Sequence, residues 1–332
     1  MKRLLSTMLV IIICLSVTGC SFNMSESGSS GSSDTNNPTT VSSAGTEEPT
    51  ESVKVKKSVE EWFGGKETGY VSHLTEYDEN GKVIKITDYA KEPAGDIRQT
   101  QEYKREETST GSTVTETVVN YLKNKTTTTV TNYNKDGKMT EEYEYDENGN
   151  CTFKQVLEYD SSGKKIRLTV DEKRITEYEY DEHDNLIKEV YNGSVQAEYQ
   201  YKYDENGNIL EKSKKNDSSG NFELKETYEY ASDGYLYKKI KHIKPGQTVT
   251  YTYNEKGILI DEYGCPDFPD TTVHKSYNEN NGRLEKETAS TNHTKTTNYE
   301  YNEEGDLIKE SSYDDWDGGS TFSKDYVITY WN

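Results

Sequence analysis

Residues able to do chemistry are numerous in this chain but scattered. Five histidines, His73, His183, His242, His274 and His293, stand apart from one another. No His-Glu-x-x-His, Cys-x-x-Cys, Gly-x-Ser-x-Gly or phosphate-binding loop accompanies them, so zinc, thiol-redox, acyl-transfer and nucleotide chemistry lack a motif. Acidic residues number 60 in 332, so carboxylate pairs are unavoidable and mark out no acid–base couple. Asp146-Glu147-Asn148-Gly149-Asn150 has a calcium-like composition, but its Gly stands fourth where an EF-hand loop needs it sixth. The expectation is no metal, no cofactor and no enzyme. What the composition does supply is aromatic: 28 residues are Tyr. Tyr178, Tyr201, Tyr228, Tyr251 and Tyr299 recur at like positions, and their faces could stack on sugars or Pro-rich segments. Trp316, in Tyr313-Asp-Asp-Trp-Asp-Gly-Gly319, could anchor a partner from a turn. The competing account, favoured here, makes these tyrosines the hydrophobic material of a sheet.

The elements that would position them are written as a repeat. Tyr77-Asp-Glu-Asn-Gly81-Lys-Val83 returns as Tyr145 to Cys151, Tyr203 to Ile209, Tyr253 to Leu259 and Tyr301 to Leu307. Looser copies end at Gly137, Gly163, Asp184, Gly234 and Gly282. Asp or Asn opens a type I turn, and Gly then takes the left-handed conformation of a bulged hairpin. The expected cross-strand pairs are Tyr77–Val83, Tyr133–Met139, Tyr145–Cys151, Tyr203–Ile209, Tyr253–Leu259 and Tyr301–Leu307. One step further out, Tyr178–Lys188, Tyr228–Lys238 and Tyr299–Lys309 are expected, each Lys stem lying on a ring. Period two then gives every strand a tyrosine side and a carboxylate side, the latter carrying Glu76, Glu144, Glu179, Glu229 and Glu300. Steps of 23, 27, 23, 25 and 23 residues from Asp184 to Gly305 each hold two strands and two turns. The fold expected is all-β: a repetitive antiparallel hairpin meander forming an extended, twisted, largely single-layer sheet. Its last strand, Tyr326 to Trp331, reads as a cap.

Composition supports that shape. Hydrophobic residues are only 30% and mean hydropathy is −1.03, too little for a thick two-layer core. Strand period and turn chemistry kept together argue against disorder. The net charge of −21 excludes a general nucleic-acid binder and disfavours contact with anionic lipid heads.

The first 20 residues carry an address. A basic start, Lys2-Arg3, precedes a short apolar run ending Leu15-Ser-Val-Thr-Gly19-Cys20. This resembles the lipobox of bacterial lipoproteins. The resemblance implies a signal peptide over 1–19 and Cys20 as the mature first residue, acylated and held at the extracytoplasmic face of the cell membrane. Ser21, rather than Asp, would allow outer-membrane export where two membranes exist. Residues 20–55 then read as a flexible Ser/Thr/Gly-rich tether, and 56–332 as the hairpin domain, with 51–67 left open between a short helix and an initial strand. Cys151 is expected as a small hydrophobe on the tyrosine side. A Cys151–Cys265 disulfide is disfavoured by the hairpins between them.

Tyr178-Glu-Tyr180-Asp-Glu-His-Asp-Asn-Leu186 and Tyr201-Lys-Tyr203-Asp-Glu-Asn-Gly-Asn-Ile209 resemble the YD repeat of the Rhs and teneurin families. The resemblance implies hairpin-strip geometry. Encapsulation is not carried over, since the array reads as too short for a closed shell and no toxin-like domain follows Trp331. Two functions are in view. The first is a membrane-anchored lipoprotein whose repeats act as a spacer or protein-interaction surface. The second is capture of a carbohydrate or substrate on the tyrosine side. An envelope enzyme ranks last.

Overall fold

The turns form as their residues dictate. In the computed structural model, which describes residues 54–91, 95–264, 271–278, 280–316 and 319–331, Asp78 Oδ1 accepts the Asn80 and Lys82 amides at 2.9 and 2.8 Å. Asp204 repeats this with Asn206 and Asn208 at 2.9 and 2.8 Å. The fourth turn residue is left-handed, with φ of 75° at Gly81, 85° at Gly207 and 68° at Asp184. All six expected first pairs, Tyr77–Val83 through Tyr301–Leu307, are present.

The strands are β1 (Lys56–Phe63), β2 (Tyr70–Tyr77), β3 (Val83–Tyr89), β4 (Ile97–Thr108), β5 (Gly111–Asn120), β6 (Lys125–Asn134), β7 (Met139–Tyr145) and β8 (Cys151–Tyr159). They continue as β9 (Lys165–Val170), β10 (Arg174–Tyr180), β11 (Leu186–Tyr191), β12 (Ser194–Tyr203), β13 (Ile209–Lys215), β14 (Phe222–Tyr230) and β15 (Leu236–Lys244). The circuit ends with β16 (Gln247–Tyr253), β17 (Leu259–Tyr263), β18 (Thr272–Tyr277), β19 (Leu284–Ser290), β20 (Thr294–Tyr301), β21 (Leu307–Asp314) and β22 (Ser320–Tyr330). Each pairs antiparallel with its chain neighbours.

The open strip expected from sequence is wrong. β22 also pairs with β1, through Thr329–Ser58, Val327–Glu60 and Tyr326–Glu61, so the 22 strands close into a barrel. The strand read as a cap is the closing partner, and the array is long enough to close after all. Closure satisfies the backbone groups that two edges would leave unpaired. The first strand of the circuit settles the ambiguity over 51–67, since Lys56–Phe63 is β1. The barrel has almost no apolar core. Among the described residues only Ala197 and Val249 are buried hydrophobics. The wall therefore rests on ladder hydrogen bonds and on same-face pairs, each adding about 0.2–1 kcal/mol.

The second tier of expected pairs also fails, for one local reason. In the ten hairpins built on these turns the ladder skips a residue just past the first pair: Ile84, Leu210, Tyr237 and Ile308 are examples. This second bulge advances the partner by one. Tyr178, Tyr228 and Tyr299 face Glu189, Lys239 and Glu310 instead. The lysines meet carboxylates on the other side, with Lys188–Glu179 at 2.9 Å, Lys238–Glu229 at 3.0 Å and Lys309–Glu300 at 3.8 Å. The stacking of Lys on Tyr survives with other partners, such as Lys165 Nζ at 4.2 Å from the Tyr178 ring centre.

The tyrosine side is the more desolvated one and lines the inside of the ring. Burial raises the phenol pKa of Tyr178, Tyr199, Tyr230 and Tyr277, and pushes Tyr201 and Tyr299 up to about 12. The outer side carries the Glu–Lys pairs. Tyr143 and Tyr145 are exceptions: their turn, at Gly149, sits at the opposite rim from the other nine, and the ladder places them outside and Glu144, expected on the outer carboxylate side, inside. Cys151, paired with Tyr145, is accordingly an exposed free thiol and not a packed hydrophobe. Cys14, Cys20 and Cys265 lie outside the described residues, as do 1–53 as a whole.

Candidate functional site

Three places on the ring concentrate side-chain chemistry: the inner tyrosines, a charged node on β1–β3, and the two rims. The tyrosines come first because their hydroxyls are committed. The ladder between one hairpin and the next stops short of the repeat turns, for instance at Glu211–Thr227 between β13 and β14. Two residues beyond it the carbonyl of Ile209 has no strand partner, and Tyr230 donates its hydroxyl there at 3.1 Å. The same latch recurs from Tyr159 to Met139, Tyr180 to Lys165, Tyr201 to Leu186, Tyr277 to Leu259 and Tyr301 to Leu284, at 2.7–3.0 Å. At β3–β4 the Arg105 guanidinium does this work on the Val83 carbonyl at 2.6 Å. At five turns the Tyr immediately before the turn thus joins hairpin to hairpin, and at β11–β12 Tyr201, two residues further back, does so while Tyr203 bonds the Asp181 and Asn185 side chains.

Of the tyrosines singled out from sequence, Tyr201 is such a latch and Tyr228 donates to Glu226. Tyr178 lies under Lys165, Tyr251 is paired with Lys239 and Tyr299 with Glu310. They face one interior but are spread over β10 to β20, so no pocket gathers them all. Trp316 stands in the β21–β22 turn, 52% exposed, with its ring 4.8 Å from that of His293.

Sequence reasoning missed the node. On the inner side of β1–β3, His73 Nδ1 lies 3.1 Å from Ser72 Oγ and its Nε2 lies 3.3 Å from Asp88 Oδ1. The order Ser–His–Asp resembles a hydrolytic triad, but the polarity is reversed. Ser72 donates its proton to Glu61 Oε1 at 3.0 Å, and Lys324 Nζ also sits 3.0 Å from that oxygen. His73, hydrogen-bonded to Glu61, is raised above its ordinary pKa, while the His73 contact against the burial cost lowers Glu61 to about 2. The Ser72 proton is thus directed at Glu61 and not at the imidazole, and the upward shift of His73 favours its charged form, so the node reads as a charge cluster. Only its adjacency in space, brought about by the β1–β2 bulge at Glu61/Trp62, could have signalled it.

The node makes stability depend on pH. Glu61 stabilises fully above its unfolded value near 4.5, and this is lost as pH falls toward 2. His73 stabilises fully below its unfolded value of 6.5, and this is lost as pH rises through its folded pKa. Asp88, raised by burial, partly offsets the acid limb. The expected result is a maximum of the node's contribution between about pH 4.5 and 6.5. Urea denaturation across pH checks this: His73→Gln should flatten the alkaline limb and also shrink the acid limb, since the His73 contact is the largest cause of the Glu61 depression and only Lys324 and Ser72 then remain to hold it down.

The rims differ. Nine of the repeat turns share one rim with the chain entry at Lys54 and with Trp331, whose indole donates to the Asp78 carbonyl at 3.2 Å. That rim is Asp-, Asn- and Gly-rich. Twelve of the fifteen large hydrophobics exposed among the described residues gather at the other rim. They include Phe63, Tyr121, Leu122, Phe222, Tyr263 and Trp316. Phe63 packs there on Phe322 with ring centres 4.7 Å apart. The outer wall between the rims is charged. A lipid-spanning barrel needs an outward apolar band about 25 Å tall, and each Lys at mid-bilayer costs about 2–4 kcal/mol. The outward Glu–Lys pairs of β10–β11, β14–β15 and β20–β21 lie one step in from the repeat turns, at the margin of such a band, where the cost is smaller.

No family model matches the chain, and no curated protein matches it. Among solved structures it is similar to the Photorhabdus luminescens Tc holotoxin pore, at 14% identity and a TM-score of 0.37, covering 80% of this chain and 16% of that one. It is similar to TcdB2–TccC3 at 15% identity and 0.33, covering 80% and 18%. A porin-like protein from Bacteroides uniformis gives 11% identity and 0.31, covering 82% and 96%. This chain spans less than a fifth of the first two. Overlaps this loose carry no argument, and the architecture rests on the strand pairing itself.

Proposed function

We propose that the chain is an extracytoplasmic lipoprotein, acylated at Cys20, whose hairpin ring presents a protein-interaction rim clear of the membrane. The supporting observation is the segregation of exposed apolar side chains to the rim opposite the chain entry. A tether of about 30 residues spans roughly 30 Å root-mean-square and lets that rim reach past the lipid heads. The same rim carries Asp146, Glu147, Asp171 and Glu172, which disfavour insertion into an anionic surface and favour a protein partner with apolar and basic contacts. Scattered anchors such as Leu122, 71% exposed, and Trp316 suit an interface with a few dominant residues.

Two measurements test it. Cys20→Ala should abolish labelled fatty-acid incorporation and release the chain from membranes; unchanged labelling refutes the anchor. A photo-crosslinking residue at Leu122 should capture a discrete protein in intact cells, while one at Asn206 on the other rim should not. Equal capture from both rims refutes the interaction face.

A further inference from the structure

The inner wall is not uniformly acidic, although the chain carries −21 overall. Strands β13 and β15 place Lys212, Lys214, Lys239 and Lys241 on the inside, following the ladder Tyr201–Lys212, Lys212–Glu226 and Glu226–Lys241. Adjacent strands are about 4.8 Å apart, so these ammonium groups share a patch roughly 10 Å wide. Glu226 is the carboxylate among them, with Lys239 Nζ at 3.4 Å and the Tyr228 hydroxyl bonded to it. Glu223 on the same strand is held by Lys225 at 2.9 Å and by Asn216 at 2.7 Å. Among the described residues neither Lys214 nor Lys241 has a carboxylate within ion-pair distance, although Glu226 and the inward Glu262 of β17 both act on Lys241 from further off.

Aromatic faces flank the lysines. Lys212 Nζ sits 5.0 Å from the Tyr199 ring centre and 6.0 Å from that of Tyr201, and Lys239 Nζ sits 5.7 Å from Tyr228. The Tyr201 and Tyr228 hydroxyls are already bonded, so their rings are fixed in orientation. Half a circuit away, Asp88, Glu116, Glu142 and Glu144 face inward from β3, β5 and β7. The acidic arc repels an anion and the lysine arc attracts it, so the interior field has a direction.

We propose that the β13–β15 arc binds an acidic oligosaccharide, its sugar faces on Tyr199, Tyr201 and Tyr228 and its carboxylates on Lys212, Lys214 and Lys241. Stacking suits the apolar face of a pyranose, and ammonium groups outside any ion pair suit uronate carboxylates through charge-assisted hydrogen bonds. This does not depend on the rim reading, and either can fail alone.

Calorimetry with the full chain at low salt is the test, using a short oligogalacturonate, its methyl ester and inorganic polyphosphate as probes. The oligogalacturonate should bind, and added salt should weaken it. Lys212→Gln with Lys241→Gln should weaken binding at least about tenfold, as expected for lost charged hydrogen bonds. Lys188→Gln and Lys238→Gln, on the outer wall, should leave it unchanged. Should the double variant lose its native circular dichroism, Lys214→Gln alone, which gives up no ion pair, should still weaken binding several-fold. Absence of binding at low salt overturns the proposal. So does equal loss from inner and outer variants, an ester bound as well as the acid, or polyphosphate bound as tightly as the oligogalacturonate.

Discussion

Removing residues 311–332 is expected to open the ring and lower the melting midpoint by roughly 10 °C, at about 2–4 °C per kcal/mol for a domain of this size. The truncation takes the second half of β21 and all of β22, and with them the outer part of the β20–β21 ladder and every pairing to β1 from β22. In a linear array the remaining repeats would stay folded, because each contacts only its neighbours. Here the loss exposes two edges at once, β1 on one side and the shortened β21 with the uncovered part of β20 on the other. It also removes the Tyr326 bond to Glu310 and the Lys324 charge beside Glu61. A gap of one to two strands, about 5–10 Å, cannot reclose without redistributing the bend over the rest of the wall. Thermal unfolding followed by circular dichroism, with size-exclusion chromatography for association, checks this. Removing 22–50 should change neither readout. A truncated chain that melts like its parent would mean that closure contributes little.

Gly207→Val is expected to cost well over about 1 kcal/mol. Its φ of 85° suits Gly, and an added Cβ would meet only the His183 ring at 3.8 Å, so the cost is conformational and not steric crowding. Asp184 supplies the contrast at the equivalent place. Its φ is 68°, which Asp tolerates, and its carboxylate pairs with Lys164 at 2.6 Å. Relief of backbone strain and loss of that exposed ion pair oppose each other in Asp184→Gly, so its gain should emerge as salt rises. Chemical denaturation of both variants at low and high salt measures the pair. A Gly207→Val protein as stable as its parent would contradict the turn assignment.

What could be read from the residues was local. Asp78, Gly81 and their copies specify the turn through side-chain acceptors and a left-handed fourth residue, and the first pair, Tyr77 with Val83, follows from loop length. The second pair did not follow, because the bulge at Ile84 or Leu210 inserts a residue with no turn chemistry to announce it. Tyr228 thus found Lys239 where Lys238 was expected. Closure was illegible for a different reason. Tyr326 and Glu61 meet from opposite ends of the domain, and an antiparallel ladder asks only for alternation, which every strand here has. The candidate site was half visible: the tyrosines and Trp316 were marked by type. The Lys212–Glu226–Lys241 row exists only once the register is known.

The pairing of β22 with β1 also bears on how such a chain can be rewritten. A closed meander has no first hairpin. Val55 accepts the Trp331 amide at 2.9 Å, so entry and exit are as near as the two sides of any repeat turn on that rim. The Asn206-Gly207 turn is therefore an equivalent place to begin the polypeptide. A gene rearranged to start there, with its old ends joined, encodes the same ladder in another order, and whole hairpins rather than single strands are the natural unit of its growth or loss.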